Sequence, residues 1–529
     1  METLIVIVGL MLVTVIVLGV GERTNLPWPV LLTLLSTATM VVPAIPDISL
    51  PPELILPLFL PPLLWAMARK LSWPLIRANW RTLLSMSVLL VIITILAVTW
   101  TSLVLIPGIS VAGAIALAAA VAPPDPVAVE AVAEPAGIPR RIIGTLQTEG
   151  LFNDAVALVA FQLALGMLQE GKGIGVWSTI GQFFWAAAVA AVLGWVIGYL
   201  AGRALDYTTD STASNALSWV IPFAAYIGAE ELHASGVIAV VVAAIEMTSR
   251  VSANASEDRL TGQAFWHTAE LLITGLAFGL IGLSVRNAVE QSTTRIGDAI
   301  IWGVVISLVA FVVRFVWMYA AYLLNRRSKR INTSPLRLQE VLVLTWSGMR
   351  GLVTLALVLS IPAGYVSVYN EMPLIAITVL FCTMVIPGLT LPWLMQKLDL
   401  ETGAEGITDA TTSRLLRRAN DAAMDVIHSR SHEIPTESVA GLARRFRDIT
   451  GIPEISDGDD YDDARAKLNK LRQAVADVRR EAIEAAQVEV MSARFEPGVD
   501  PHIVDDILRQ LDRMLLASTS SSEWMKQIK

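Results

Sequence analysis

Four ionisable residues stand inside long apolar stretches of this sequence: Asp125, Glu149, Asp154 and Arg350. A charged side chain at membrane depth is costly, so such a residue indicates a functional site by default. A buried carboxylate can hold either a proton or a hard cation, because burial disfavours its bare charge. A buried arginine needs an acidic partner for the same reason. The four residues therefore predict a site for protons or metal cations, together with one ion pair.

Three prolines surround the first of these carboxylates, in the run Ala122-Pro123-Pro124-Asp125-Pro126. Proline removes a backbone donor and clashes with the preceding helical turn, so a continuous helix cannot pass through this run. Broken backbone is tolerated at membrane depth only where it is buried in protein or lines a cavity. The pattern predicts free carbonyls and a helix N-terminus beside Asp125. A simple proline kink with Asp125 as its N-cap is the alternative.

The second carboxylate, Asp154, stands just before a long apolar run that ends at Leu168. We interpret residues 141–169 as one helix, in which Glu149 and Asn153 share a face and Asp154 lies on the neighbouring one. Asp154 is then roughly 20 Å from the basic residues at 140–141, at about 1.5 Å per residue. The alternative interpretation places it at a helix start near the membrane surface.

The deep arginine, Arg350, lies between Gly348 and Gly351, which permit a break or close packing. We predict Glu149 as its partner in a structural ion pair. A further arginine, Arg314, also lies inside an apolar run, and the sequence does not identify its partner.

The elements that must hold these residues are membrane helices. The 529 residues are 54% apolar and 16% charged, with a mean hydropathy of +0.60. Soluble chains carry about 25% charged residues, so a large soluble enzyme is excluded. A span needs roughly 20 mostly apolar residues. The candidates are 3–20, 27–44, 52–67, 82–106, 111–133, 141–169, 178–203, 216–232, 235–248, 266–286, 297–324, 338–361 and 372–397.

The distribution of charge predicts two domains and an orientation. Residues 1–398 and 399–529 carry 43 charged residues each, so a membrane domain (1–400) precedes a charged tail (401–529). With an outside N-terminus, the inside loops hold fifteen Lys and Arg and the outside loops three. This bias places the tail in the cytoplasm. Its apolar stripes predict a small helical bundle or dimer seam, or a regulatory domain. The tail's acidic balance argues against nucleic acid as a partner.

The interruptions at Pro124 and around Arg350 fall in the fifth and twelfth of the thirteen spans. Interruptions at matching places in two halves are typical of inverted-repeat transporters, whose site lies where the broken helices cross. We therefore predict an all-α membrane protein of about thirteen helices, with inverted repeats and two interrupted crossing helices.

At these residues the chain resembles bacterial sodium/proton antiporters of the monovalent cation:proton antiporter 1 family. The resemblance covers nearly all of residues 1–400, and its motifs keep the family's order. They are Phe59-Leu60-Pro61-Pro62-Leu63-Leu64, Asp125-Pro126, Glu149 with Asn153-Asp154, Gly279-Leu280-Ile281-Gly282-Leu283 and Gly348-Met349-Arg350-Gly351.

The resemblance implies a role for each site residue. Asp154 is the carboxylate that binds cation and proton, and Asp125 and the carbonyl of Pro124 help to coordinate the monovalent metal ion. Asn153 marks electroneutral exchange and also belongs to the ion site. Glu149 and Arg350 form the structural pair. The resemblance further implies a homodimer in the lipid of the plasma membrane, a role in pH homeostasis, transported Na⁺ and H⁺, and no cofactor.

The sequence departs from the family's pattern at three places. Pro124 replaces a common Thr, Gly150 replaces a Ser ligand of archaeal members, and Ala66 stands where some members have an acidic residue. The ion site is therefore poorer in side-chain oxygens, which leaves the choice among Na⁺, Li⁺ and K⁺ open.

Three other classes compete with a sodium/proton antiporter. A potassium/proton antiporter is hardly distinguished by the sequence. An intramembrane aspartyl protease would use Asp125 and Asp154 as a dyad, but the Gly-x-Gly-Asp context is absent. A cation channel needs a repeated filter motif, which the sequence lacks. The tail remains a candidate binding site for a regulatory partner.

Overall fold

The computed structural model describes most of the chain. The described residues are 2–24, 26–38, 52–136, 138–150, 152–170, 176–208, 210–249, 256–291, 296–327, 335, 337–362, 366, 368–398, 405–431, 463–494, 496, 499 and 501–527. Throughout these residues the regular structure is helical. The second part of the predicted span 27–44 lies outside them.

The described residues in the first half of the apolar region form twelve helices. They are α1 (Glu2–Thr24), α2 (Trp28–Ala38), α3 (Pro52–Ala68), α4 (Trp73–Leu83), α5 (Leu90–Leu105), α6 (Val111–Val121), α7 (Pro126–Ala136), α8 (Arg140–Gly150), α9 (Asn153–Glu170), α10 (Val176–Asp206), α11 (Ser211–Glu231) and α12 (Gly236–Thr248). A π-helical segment, Leu84–Leu89, joins α4 to α5.

Six further helices are found where the structure describes the second half of the apolar region. They are α13 (Ser256–Gln291), α14 (Ile296–Arg327), α15 (Leu338–Trp346), α16 (Leu352–Leu359), α17 (Met372–Leu380) and α18 (Ile386–Lys397). A second π-helical segment, Phe381–Val385, joins the last two.

The chain has the helices of a multi-pass membrane protein. Seven helical stretches among the described residues are long and apolar enough to cross a membrane. Shorter apolar helices accompany them, and one of these, within α3, carries three prolines in its interior. Large apolar side chains of α1 and α10 are exposed, which suits helices that face lipid or another subunit.

Helix breaks occur at both predicted places and at one that the sequence did not predict. The chain breaks between α6 and α7 at the prolines, and between α15 and α16 at residues 347–351. It also breaks between α8 and α9, after Gly150. The prediction of a continuous helix over 141–169 is therefore wrong. Gly150 packs directly on Pro126, where a Cβ would lie 2.4 Å from the proline ring, so a tertiary contact sets this break.

The C-terminal part forms a separate apolar core of three helices, which we call the tail bundle: α19 (Glu405–Ser429), α20 (Asp463–Ala493) and α21 (Pro501–Gln527). Its α21 packs against α13. There Asp512, only 1% exposed, receives two hydrogen bonds from the guanidinium of Arg259, at 2.5 and 3.0 Å. Gln487 donates a further bond to Asp512 at 2.8 Å. The tail bundle is thus fastened to the apolar region by a buried charge pair.

Candidate functional site

Three helix N-termini meet at the predicted carboxylates. The helix α7 starts at Pro126 just after Asp125, α9 starts at Asn153 just before Asp154, and α16 starts at Leu352. Helix N-termini present unpaired amides and a partial positive charge, which stabilise nearby anions. The three breaks therefore bring favourable backbone to both carboxylates.

Asp125 joins two of the breaks to each other. Its amide donates to the carbonyl of Met349 at 2.7 Å, and its carboxylate accepts a hydrogen bond from the amide of Leu352. The same carboxylate caps α7 through the amides of Val127 at 2.9 Å and Ala128 at 3.4 Å. Asp125 is therefore the N-cap of one helix and a partner of another, a more extensive role than a cap on a simple proline kink.

Glycine makes this approach possible. A Cβ at Gly351 would lie 1.5 Å from Oδ2 of Asp125, well inside van der Waals contact. The backbone of Gly351 is extended, so glycine is required here for space rather than for an unusual backbone conformation.

The side chain of Asn153 forms two hydrogen bonds at the break between α8 and α9. Its Nδ2 donates to the carbonyl of Pro124 at 2.5 Å, and its Oδ1 accepts from the amide of Asp154 at 2.7 Å. The side chain is fully buried, so both bonds lie away from solvent. Asn153 therefore ties the start of α9 to the proline break before α7.

The two aspartates line one cavity of about 30 Å³. A cavity of this size has room for a water molecule. Its other walls come from Pro126 and Val127 of α7, from Leu352 and Val353 of α16, and from one face of α3. The α3 residues are Ile55, Leu56, Leu60, Leu63, Leu64 and Met67. The site is thus a small pocket with two acidic groups and apolar walls.

The two carboxylates differ in how they are held. Asp125 accepts hydrogen bonds from three backbone amides. Asp154 is 4% exposed, and no hydrogen bond from the described residues reaches its carboxylate. The negative charges of the two groups repel each other. Of the two, Asp154 has its oxygens free for a proton or a cation.

Glu149 pairs with Arg314, and the predicted pair with Arg350 is wrong. Both terminal nitrogens of Arg314 donate to the two oxygens of Glu149, one at 2.8 Å and one closer. The two side chains are 3% and 1% exposed. Nε of Arg314 also donates to the carbonyl of Leu344 at 2.8 Å, so the guanidinium is fixed on two sides. A bidentate pair of this kind is geometrically specific.

Arg350 lies near this pair but points elsewhere. Its Nη1 contacts the carbonyl of Gly348 at 3.4 Å, and its Nε has no hydrogen-bond partner among the described residues. It is close enough to Arg314 and Glu149 to feel both charges. Arg314 occupies the place that Arg350 was predicted to fill because Gly348 leaves room for it: a Cβ there would lie 2.5 Å from Cδ of Arg314.

A π-helical segment completes the support of Glu149. Ser87, in the segment Leu84–Leu89, donates its hydroxyl to the backbone carbonyl of Glu149 at 2.7 Å. The break after Gly150 leaves carbonyls at the end of α8 without helical donors, and Ser87 satisfies one of them. No pattern in the sequence predicts this contact.

Interrupted apolar helices that meet at two buried carboxylates define a membrane transporter of cations or protons. Residues 8–397 match the family described as sodium/hydrogen exchanger, transmembrane. The protein therefore belongs to the sodium/hydrogen exchanger family, and it is a transporter rather than an enzyme.

Similar proteins agree with this membership. An uncharacterized Na⁺/H⁺ exchanger of Mycobacterium tuberculosis is 28% identical over 96% of this chain and 94% of its own. The low-affinity Na⁺/H⁺ antiporter NhaS1 of Synechocystis is 30% identical over 71% of this chain and 70% of its own. A Bacillus pumilus relative, named a sodium, potassium, lithium and rubidium/H⁺ antiporter, is 28% identical over 81% of this chain and 67% of its own.

A solved structure shares the fold. The sodium proton antiporter MjNhaP1 of Methanocaldococcus jannaschii aligns over 76% of this chain and all of its own, with a TM-score of 0.59 and 18% identity. With the family established, the protein is a Na⁺/H⁺ antiporter. The protease and channel hypotheses are set aside.

Proposed function

We propose that Asp154 carries Na⁺ and H⁺ alternately during exchange. The observation that supports this role is the difference between the two carboxylates of the cavity. Backbone amides donate hydrogen bonds to the Asp125 carboxylate, whereas no described residue donates one to the Asp154 carboxylate. A group that must take and release an ion in every cycle needs free oxygens, and Asp154 has them.

The ion site consists of Asp154 and Asp125 as the charged ligands of the monovalent cation, supplemented by Asn153 and Pro124. The carbonyl oxygen of Pro124 and Oδ1 of Asn153 each accept one hydrogen bond already. Each keeps one lone pair. These two oxygens, which lie at the helix breaks, therefore add ligands to the coordination shell of the cation. Water in the small cavity supplies any remaining ligand.

Competition for one carboxylate couples the two fluxes. Asp154 holds a proton or a cation but not both, and burial makes the bare carboxylate costly. Exchange follows if the two loaded forms change their access side and the empty charged form does not. One Na⁺ moves for one H⁺ in this scheme, so the exchange is electroneutral.

Potassium is the second candidate for the transported cation. The site has few side-chain oxygens, because Pro124 and Gly150 offer none. The name of the Bacillus pumilus relative includes potassium, lithium and rubidium. Titration of Na⁺, Li⁺ and K⁺ in a pH-gradient dye assay would rank the three ions by half-saturating concentration.

The surrounding architecture supports alternating access. We infer thirteen crossings in a membrane domain of residues 1–400, with inverted repeats that place the broken helices at the midplane. The excess of Lys and Arg on one side favours a cytoplasmic tail of residues 401–529. A homodimer in the plasma membrane, with regulation of cellular pH as its role, follows from the same proposal. The exposed apolar side chains of α1 and α10 are candidates for the dimer and lipid faces.

The role of Asp154 is tested in proteoliposomes with the variant Asp154→Asn. Amide and carboxyl groups have nearly the same size, so the variant should fold, while Na⁺-dependent proton movement should be lost. The matched control is Asp298→Asn, which changes an acidic residue in the first turn of α14. Full exchange by Asp154→Asn would overturn the assignment.

A further inference from the structure

Lys70 lies between two carboxylates, in the turn that follows α3. Its Nζ is 2.5 Å from Oε1 of Glu130 and 3.8 Å from Oε2 of Glu270. All three side chains are partly exposed, at 28%, 28% and 20%. The cluster therefore keeps access to solvent, and Arg69 and His267 also lie close enough to Glu270 to interact with its charge.

The ion pair between Lys70 and Glu130 joins the turn after α3 to α7, and both helices contribute residues to the cavity wall. Lys70 ends the turn that follows α3, where its amide donates to the carbonyl of Met67, a residue of the cavity wall. Glu130 lies on α7, which begins beside Asp125 and supplies Val127 to the cavity. Closing this ion pair holds α3 and α7 together near the two aspartates.

Glu270 lies on a helix that other contacts link to the turn containing Lys70. It lies on α13, and the guanidinium of Arg69 stacks 5.5 Å above the ring of Trp266 on the same helix. The tail bundle holds both elements, because Arg494 donates to the carbonyl of Arg69 at 3.3 Å and Asp512 pairs with Arg259 of α13. The turn after α3 is therefore linked to α13 independently of the Lys70 side chain.

We propose that Lys70 is a latch on the access path to the ion site, with Glu130 as the partner it releases and Glu270 as the partner it keeps. In the closed state Lys70 holds α7 through Glu130. When α7 moves away, the ammonium group turns to Glu270, so it is never left without an anion. Lys70 acts through the position of α7 and does not touch the ion, so it is a positioning residue. The inference rests on the proposed role of the cavity in exchange.

Labelling of one engineered cysteine tests the latch without any transport measurement. The chain has one cysteine, so Cys382→Ser gives a cysteine-free background. Met67→Cys then places a thiol in the buried cavity wall. The rate at which a charged methanethiosulfonate reagent modifies this thiol, in protein reconstituted in nanodiscs, reports how often the cavity opens.

The latch predicts changes of opposite sign for its two partners. Glu130→Gln should raise the labelling rate roughly three- to fivefold, the range expected for a half-exposed ion pair. Lys70→Met should raise it less, because that change removes an ion pair from both the closed and the open state. Glu270→Gln should lower the rate, because it removes the anion that receives Lys70 in the open state. Lys70→Arg keeps the charge and should stay near the parent rate. Loss of packing alone would not produce a decrease for one carboxylate and an increase for the other.

The control is Lys397→Met, whose ammonium lies 4.4 Å from the ring centre of Trp393 at the end of α18, away from the cavity. It should leave labelling unchanged. An unchanged rate in both Lys70→Met and Glu130→Gln would overturn the latch, as would equal increases in both glutamate variants. If Lys70→Met does not fold, comparing the labelling rates of Glu130→Gln and Glu270→Gln is enough to test the latch. The same rates measured with Asp154→Asn separate the latch from the proposed function, because labelling does not require ion transport.

Discussion

Oδ2 of Asp125 lies 1.5 Å from the position that a Cβ on Gly351 would occupy. The two interrupted helices cross as closely as they do because residue 351 has no side chain. This contact also brings the amide of Leu352 to the Asp125 carboxylate. The geometry of the ion site therefore depends on one hydrogen atom in place of a methyl group.

Gly351→Ala should disrupt the site strongly. Overpacking of a buried position typically costs about 1–3 kcal/mol, and the clashing carboxylate would have to leave its amide partners to make room. We expect a lower melting temperature in detergent and loss of exchange. The matched control is Gly297→Ala in α14, where nothing lies within 4 Å of the added Cβ. Equal behaviour of the two variants would show that the contact with Asp125 is unimportant.

Glu149 and Arg314 should be thermodynamically coupled more strongly than Glu149 and Arg350. Removal of one partner from a buried ion pair costs about 3–5 kcal/mol, and only Arg314 is hydrogen-bonded to the carboxylate. Double-mutant cycles with Glu149→Gln, Arg314→Leu and Arg350→Leu, read as stability in detergent, measure both couplings. The exposed pair Arg286 and Glu290 serves as a control, for which we expect a coupling energy of about 0.5 kcal/mol or less. A larger coupling to Arg350 would contradict the pairing.

Asn153→Asp should remove the hydrogen bond to Pro124 rather than change the stoichiometry of exchange. A carboxylate cannot donate to the carbonyl of Pro124, so two acceptors would face each other at the present 2.5 Å. We expect reduced stability and a slower exchange that remains electroneutral. Proteoliposome assays with and without a membrane potential measure this. A stable variant whose exchange responds to the potential would support a direct role of residue 153 in charge balance instead.

The tail bundle should loosen when its buried anchor is removed. Asp512→Ala leaves the guanidinium of Arg259 and the amide of Gln487 without their shared acceptor. We expect faster proteolytic cleavage between residues 400 and 529, together with a changed pH dependence of exchange if the tail regulates transport. Asp477→Ala, which breaks an exposed pair with Arg480, is the control. Unchanged cleavage and an unchanged pH profile would remove the regulatory hypothesis.

The sequence predicted the parts of the site that local chemistry determines. The three prolines around Asp125 predicted the first helix break, and the glycines beside Arg350 marked the second. The break after Gly150 escaped prediction because its cause is a distant contact with Pro126. Asp154 is therefore the second residue of α9 and not part of a continuous helix.

Pairing of the buried charges could not be read from spacing. Arg314 and Glu149 are 165 residues apart in the chain. Two arginines in the apolar runs 297–324 and 338–361 compete for the same carboxylate, and residue types alone do not choose between them. The space beside Gly348 decides the choice, and it exists only in the folded protein.

The central claim is that sodium and a proton compete for the Asp154 carboxylate. It is tested most directly by the protons released when Na⁺ is added to the purified protein in weakly buffered detergent solution. We expect the wild-type protein to release up to one proton per Na⁺ bound. Asp154→Asn should release none, and Asp298→Asn should behave as wild type. Undiminished proton release from Asp154→Asn would contradict it.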